Sequence, residues 1–172
     1  MGAAASAESF SEDFSRAGRW EVYGMGQAIK IFEVLGSDSD VFGGGLGVGY
    51  NISEHFNVNA DFSISSENIN QPSFLGTEAE GSRTLYMGNL ALDYNILKTP
   101  VTPVLSIGGG VGVPSEGSGT LYDGTIGAGV RWDATEYLFV KALLRGGVWK
   151  TTEEGSESWG SIGATVVLGY RF

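Results

Sequence analysis

The run Ile162-Gly-Ala-Thr-Val-Val-Leu-Gly-Tyr-Arg-Phe172 decides the fold. Apolar or aromatic residues occupy every second position: Ile162, Ala164, Val166, Leu168, Tyr170 and Phe172. Gly163, Thr165, Gly169 and Arg171 stand between them, with Val167 the one departure. A period of two places the two sets on opposite faces of a strand. In a soluble sheet, a strand ending on an exposed aromatic invites edge-to-edge association. A transmembrane barrel uses the same pattern, with one face toward lipid and aromatics at the interface.

Seven further segments repeat the period, giving eight: 18–29, 41–52, 55–65, 83–96, 101–113, 120–132, 137–149 and 158–172. The third is the clearest, with Phe56, Val58, Ala60, Phe62 and Ile64 alternating with His55, Asn57, Asn59, Asp61 and Ser63. Most are longer than the usual five or six residues of a soluble strand, and a tilted strand crosses a bilayer in about 9–11. The connections alternate as well. Asn51-Ile-Ser-Glu54, Leu97-Lys-Thr-Pro100 and Asp133-Ala-Thr-Glu136 are tight turns, whereas 30–40, 66–82 and 150–157 are longer and polar, with 114–119 the shortest on that side. With an even strand count, both ends of the chain fall on the short-turn side.

Composition bounds the alternatives. The chain has 172 residues, enough for one closed barrel or sandwich, and a formal net charge of -10. Its mean hydropathy is +0.02. No run approaches the roughly 20 apolar residues that a membrane helix needs. The 28 glycines favour strands and turns over helices, and the absence of cysteine excludes disulfides and thiol chemistry. The acidic balance disfavours nucleic acid, whose phosphates need Lys and Arg. Residues 1–17 read as a flexible tail or the remnant of an expression start, with Ala5-Ser6-Ala7 resembling a cleavage site, and 18–172 as the barrel.

Two observations place the apolar face outside. Trp20, Tyr50, Phe56, Tyr94, Trp132, Tyr170 and Phe172 sit near strand ends on that face, all on the short-turn rim, as an interfacial girdle does. The other face carries Glu21, Asp61, Asp93, Asp123, Arg131, Lys141 and Arg145 among many glycines. Inside a narrow barrel such charges must pair, and the expectation is a lumenal ion-pair network filling the interior, with glycines making room for Arg and Lys.

On Phe42-Gly-Gly-Gly-Leu-Gly-Val-Gly-Tyr50, Asn51-Ile-Ser-Glu-His-Phe56, Thr102-Pro-Val-Leu-Ser-Ile-Gly-Gly-Gly-Val-Gly112, Gly127-Ala-Gly-Val-Arg-Trp132 and Gly169-Tyr-Arg-Phe172, the chain resembles the small eight-stranded outer-membrane β-barrels of Gram-negative bacteria, the OmpA-like transmembrane domain superfamily. The resemblance implies an all-β, antiparallel up-and-down transmembrane barrel with short periplasmic turns, longer extracellular loops and both termini periplasmic. It also implies outer-membrane lipid and lipopolysaccharide as surroundings, recognition of the terminal strand by the barrel-assembly machinery, and a monomer.

The function expected is non-enzymatic: membrane stabilisation or surface interaction, the latter through the loop 66–82. A narrow pore is the alternative, followed by a lipid A-modifying enzyme and a soluble lipocalin-like carrier. His55, the only histidine, lies beside Ser53 and Glu54, but on the short-turn rim. A hydrogen-bonded turn histidine is the expectation there, not a Ser/His/acid relay. The long-loop rim gathers Glu33, Asp38, Asp40, Glu67, Glu78, Glu80, Glu116, Glu153, Glu154 and Glu157 without the spacing of a calcium loop. No catalytic residue, metal ligand or cofactor is assigned.

Overall fold

A computed structural model describes residues 14–32, 38–71, 79–115, 119–152 and 158–172. Eight strands form one closed antiparallel barrel in sequence order: β1 Trp20–Phe32, β2 Asp38–Asn51, β3 Phe56–Gln71, β4 Ala79–Asn95, β5 Val101–Pro114, β6 Leu121–Asp133, β7 Leu138–Thr151 and β8 Trp159–Arg171. Every strand pairs with its sequence neighbours, and β1 closes on β8 from Glu21↔Arg171 to Phe32↔Gly160. Closure leaves no edge with unpaired backbone groups. The terminal alternating run is therefore an interior member of a cylinder, flanked by β7 and β1.

The faces are inverted relative to a soluble barrel. Phe42, Val58, Leu92 and Val166 all point outward, and Leu46, Ile126 and Leu144 are 74%, 68% and 68% exposed. Glu21, Asp93, Arg131, Lys141 and Arg171 are buried within. The period of two thus does what the sequence implies, because each pleat sends successive side chains to opposite faces.

In two places the structure departs from the sequence reading. The first is strand length: the β1–β2 ladder runs through Lys30↔Asp40 to Phe32↔Asp38, inside the segment 30–40 read as a loop. The β3–β4 ladder continues through Glu67↔Arg83 to Gln71↔Ala79, so most of the segment 66–82 is hairpin rather than loop. After Ile64 the β3 sequence runs Ser65-Ser-Glu-Asn68, so no apolar alternation marks this part of the strand. The connection proper, 72–78, lies outside the described residues, as do Glu33, Glu78, Glu116, Glu153, Glu154 and Glu157. Asp38, Asp40, Glu67 and Glu80 fall within strands.

The second difference concerns the segment before β1. Residues 1–13 lie outside the described residues, but Phe14 to Ala17 is packed against the short-turn rim rather than loose. The Ser15 hydroxyl donates to Glu54, and the amides of Arg16 and Ala17 donate to the same carboxylate at 3.0 and 3.2 Å. Gly18 then turns the chain into β1 at φ +75, a left-handed conformation that favours glycine.

Candidate functional site

The lumen is built in layers, because inward positions of neighbouring strands meet at each height of a narrow barrel. At the short-turn end the layer is ionic. Arg131 on β6 donates through Nη2 and Nη1 to Glu21 on β1 at 2.5 and 3.2 Å. Asn51 and Asn57 donate to the same carboxylate at 2.8 and 3.3 Å. Asp133, on the same face of β6 as Arg131, gathers three guanidinium groups. Arg16 Nη2 reaches it at 2.7 Å, Arg131 Nη2 at 3.0 Å and Arg171 Nη1 at 3.0 Å. These residues are almost wholly inaccessible to solvent.

The remaining guanidinium hydrogens find backbone oxygens. Arg16 donates to the carbonyls of Leu97 and Thr99 at 3.2 and 2.6 Å, and Arg171 donates twice to that of Glu136 at 3.0 and 2.8 Å. Burial lowers the Arg16 pKa and the Asp133 charge opposes it, with burial prevailing. An arginine still keeps its charge under such a shift. At Glu54 burial works upward, but the hydrogen bonds from Ser15, Arg16 and Ala17 prevail and hold its carboxyl below the ordinary 4.5.

The middle of the lumen mixes apolar and charged groups. Tyr23, Met25, Phe139 and Val167 form a buried cluster, and the Arg131 guanidinium lies over the Phe139 ring at 4.2 Å. Lys141 pairs with Asp93 at 2.5 Å, and Asn59 donates to the same carboxylate at 3.0 Å. Asp61 accepts from Asn89 at 2.8 Å. A cavity of about 30 Å³ lies above, lined by Gln27, Asn89, Asp123, Thr125, Arg145 and Thr165, with Ile29, Met87 and Trp149 among its apolar walls.

The long-loop end is closed by a different chemistry. Ile31, Val41, Leu85, Met87, Leu121 and Trp149, from β1, β2, β4, β6 and β7, form a buried apolar layer, with Ile29 and Trp159 packed against it. On β3 the register neighbour of Val41 is the buried Glu67, which pairs with Arg83 at 2.5 Å. Several inner glycines serve this packing. A Cβ at Gly112 would meet Met87, at Gly163 Ile29, at Gly47 the ring of Tyr23, and at Gly169 that of Phe139. Among the described glycines only Gly127 makes room for a long cation, Arg145. The rest of the space goes to aromatic and aliphatic groups and to short polar side chains, such as Ser65 at Gly43 and Asn59 at Gly49, not to Arg and Lys.

The seven charged residues singled out in the sequence do not form one network. Glu21 and Arg131 meet at the short-turn end, and Asp93 and Lys141 meet in the middle. Among the described residues no ion pair joins Asp61, Asp123 or Arg145 to an opposite charge; the last two face the cavity instead. The sequence reading missed Asp133, placed in a turn, Arg16, placed in the tail, and Arg171. Their signal was parity, since Arg131, Asp133 and Arg171 all fall on inward positions.

The seven girdle aromatics are all exposed on the outer face of the short-turn rim. Trp20 packs on Tyr50 with ring centroids 4.9 Å apart, and Phe56 on Tyr94 at 5.1 Å. Tyr137, which the sequence reading left out, stacks on Tyr170 at 5.7 Å. His55 stacks on Tyr94, and its Nδ1 lies 2.7 Å from the Asn95 carbonyl. Ser53 Oγ accepts from the amides of His55 and Phe56, while Glu54 is held by Ser15, Arg16 and Ala17. Each member of that local triplet is thus bonded to a different partner.

Closure in sequence order, short turns on one rim and an outward apolar face define this as an eight-stranded barrel of the outer-membrane type. No protein-family model and no curated protein sequence matches the chain. Solved structures do. Neisserial surface protein A superposes with a TM-score of 0.61 at 17% identity, covering 90% of this chain and 99% of that one. The outer-membrane protein OprG of Pseudomonas aeruginosa gives 0.63 at 12% identity, covering 92% and 98%. The outer-membrane enzyme PagL gives 0.54 at 11% identity, covering 86% and 97%. At these identities the likeness is one of fold.

Proposed function

We propose that this protein is an integral outer-membrane barrel without enzymatic activity, which stabilises the membrane and presents its long-loop rim as an interaction surface. The observation that carries the reading is a continuous apolar outer face around an interior closed at both ends. Burying that face in lipid gains roughly 25 cal/mol for each Å² removed from water, whereas a soluble fold would leave it exposed. In this reading the rim aromatics from Trp20 to Phe172 sit at the membrane interface, and the short turns face the periplasm. Outer-membrane lipid and lipopolysaccharide surround a monomer, and the assembly machinery inserts it through β8.

The neighbours in fold space include an enzyme, so the non-enzymatic part rests on the site itself. His55, Ser53 and Glu54 are engaged in turn and rim hydrogen bonds, which supports a structural role for them. The two closures of the lumen likewise speak against a standing pore.

The decisive experiment is expression with fractionation, followed by gel migration with and without boiling. The expected result is protein in the outer-membrane fraction that needs detergent for extraction and migrates differently when unheated. Release into buffer alone would overturn the reading. Unchanged lipid A mass spectra from expressing cells, and no conductance in planar bilayers, are the expected results for the enzymatic and pore alternatives.

A further inference from the structure

The interior cavity lies between the two closures and carries two polar atoms without a partner: Asp123 Oδ1 and Arg145 Nε make no hydrogen bond within the protein. Both residues line the same space, alongside the polar side chains of Gln27, Asn89, Thr125 and Thr165. Buried polar atoms are rarely left unsatisfied, and water is their usual partner when the space is polar and large enough. At about 30 Å³ the cavity has room for about two water molecules, each needing roughly 10–15 Å³.

Above this space the lining changes abruptly. Trp149 and Met87 belong both to the cavity wall and to the buried apolar layer with Ile31, Val41, Leu85 and Leu121. An apolar constriction of this kind excludes water and hydrated ions by dewetting. We propose that the cavity is a hydration site holding about two waters that bridge Asp123 to Arg145, and that the layer centred on Trp149 is the dry seal isolating it from the long-loop side. The proposal rests on the barrel lying in a membrane with this lumen inside, and it goes beyond that reading by assigning an internal ligand and a gate residue.

The chain has no cysteine, so one introduced thiol reports alone. Thr125→Cys places it in the cavity wall of the full-length, detergent-refolded protein. The probe is a small cationic methanethiosulfonate, and the readout is its labelling rate. Thr125→Cys alone should label slowly. Adding Trp149→Ala should accelerate labelling about tenfold, equivalent to removing about 1.4 kcal/mol of barrier. Trp149→Phe should keep the slow rate.

Leu143→Ala enlarges the interior on the other side of the cavity and should also stay slow. If it accelerates labelling as much as Trp149→Ala, free volume rather than a seal controls access, and the proposal fails. It fails equally if Thr125→Cys alone labels fast, or if Trp149→Ala stays slow while heat-modifiable migration is intact. Should Trp149→Ala not fold, Leu121→Ala opens the same layer and is read in the same way. A crystal structure is expected to show water between Asp123 Oδ1 and Arg145 Nε; a dry cavity would overturn the hydration site. Absence of heat-modifiable migration in the unsubstituted protein would instead count against the membrane-barrel reading.

Discussion

The two ends of this lumen are closed by opposite means. At the short-turn end three guanidinium groups converge on Asp133, and Glu21 holds one of them from across the barrel. At the long-loop end Ile31, Val41, Leu85, Leu121 and Trp149 meet as an apolar layer, with the Glu67–Arg83 pair of β3 and β4 beside it. The first closure depends on each partner being present, because a buried charge left alone is costly. The second depends on volume, and loses stability in proportion to the space left by a truncated side chain. The same strands β1, β2 and β6 contribute to both, so the difference comes from side chains and not from the scaffold.

The contrast is broken most severely at Asp133. Asp133→Ala removes the shared acceptor and leaves Arg16 and Arg171 without their ion pair. The expected loss is about 3–5 kcal/mol in urea unfolding from lipid vesicles. At the other end Leu121→Ala should cost about 2–4 kcal/mol in the same assay. Leu121→Met should recover most of that loss, since volume is what this end needs. Equal rescue of Asp133→Ala by a neutral Asp133→Leu would erase the distinction between the ends.

A smaller effect sharpens the comparison through pH. Glu54 is held below its ordinary 4.5 in the folded protein, chiefly by the three donors of Ser15, Arg16 and Ala17 acting against burial. A depressed carboxyl contributes stability that is present above its unfolded pKa and is lost as pH falls through the folded value. Protection of the Arg16 and Ala17 amides against hydrogen exchange should therefore fall on acidification below about pH 4.5. Glu54→Gln should reduce that protection at neutral pH and remove its acid dependence. The apolar end, probed at the Leu121 amide, should show no matching step. The smallest effect is expected at Gly26, on the outer face of β1, where an added Cβ meets nothing within 4 Å. Gly26→Ala should change stability by no more than about 0.5 kcal/mol.

How much of this was legible in the sequence follows from what a period of two encodes. It encodes which face a residue joins, so Phe56 to Ile64 and Ile162 to Phe172 were read correctly, and with them the closed barrel. It says nothing of height along the lumen or of which inward residues meet across it. Ile31, Val41, Leu85, Leu121 and Trp149 stand on inward positions of five different strands, and no local pattern shows that they converge. Asp133 stands before Ala-Thr-Glu, the local composition of a turn, although its parity with Arg131 points inward. Arg16 precedes the first alternating segment, where polar sequence has no face to follow. The ladder beyond Ile64 is hidden in the same way, because its sequence is largely polar.

The convergence on Asp133 has a kinetic consequence. Arg16 comes from before β1, Arg131 from β6 and Arg171 from the last strand. Neighbouring hairpins join residues close in sequence, whereas the β1–β8 seam joins residues from opposite ends of the chain and carries the largest loop-closure cost of the eight pairings. Arg16 and Arg171 reach Asp133 together only after that seam has shut. The cluster is therefore a latch that can be thrown only once the cylinder is shut. An interaction made only after closure is expected to lengthen the lifetime of the assembled cylinder more than it speeds assembly.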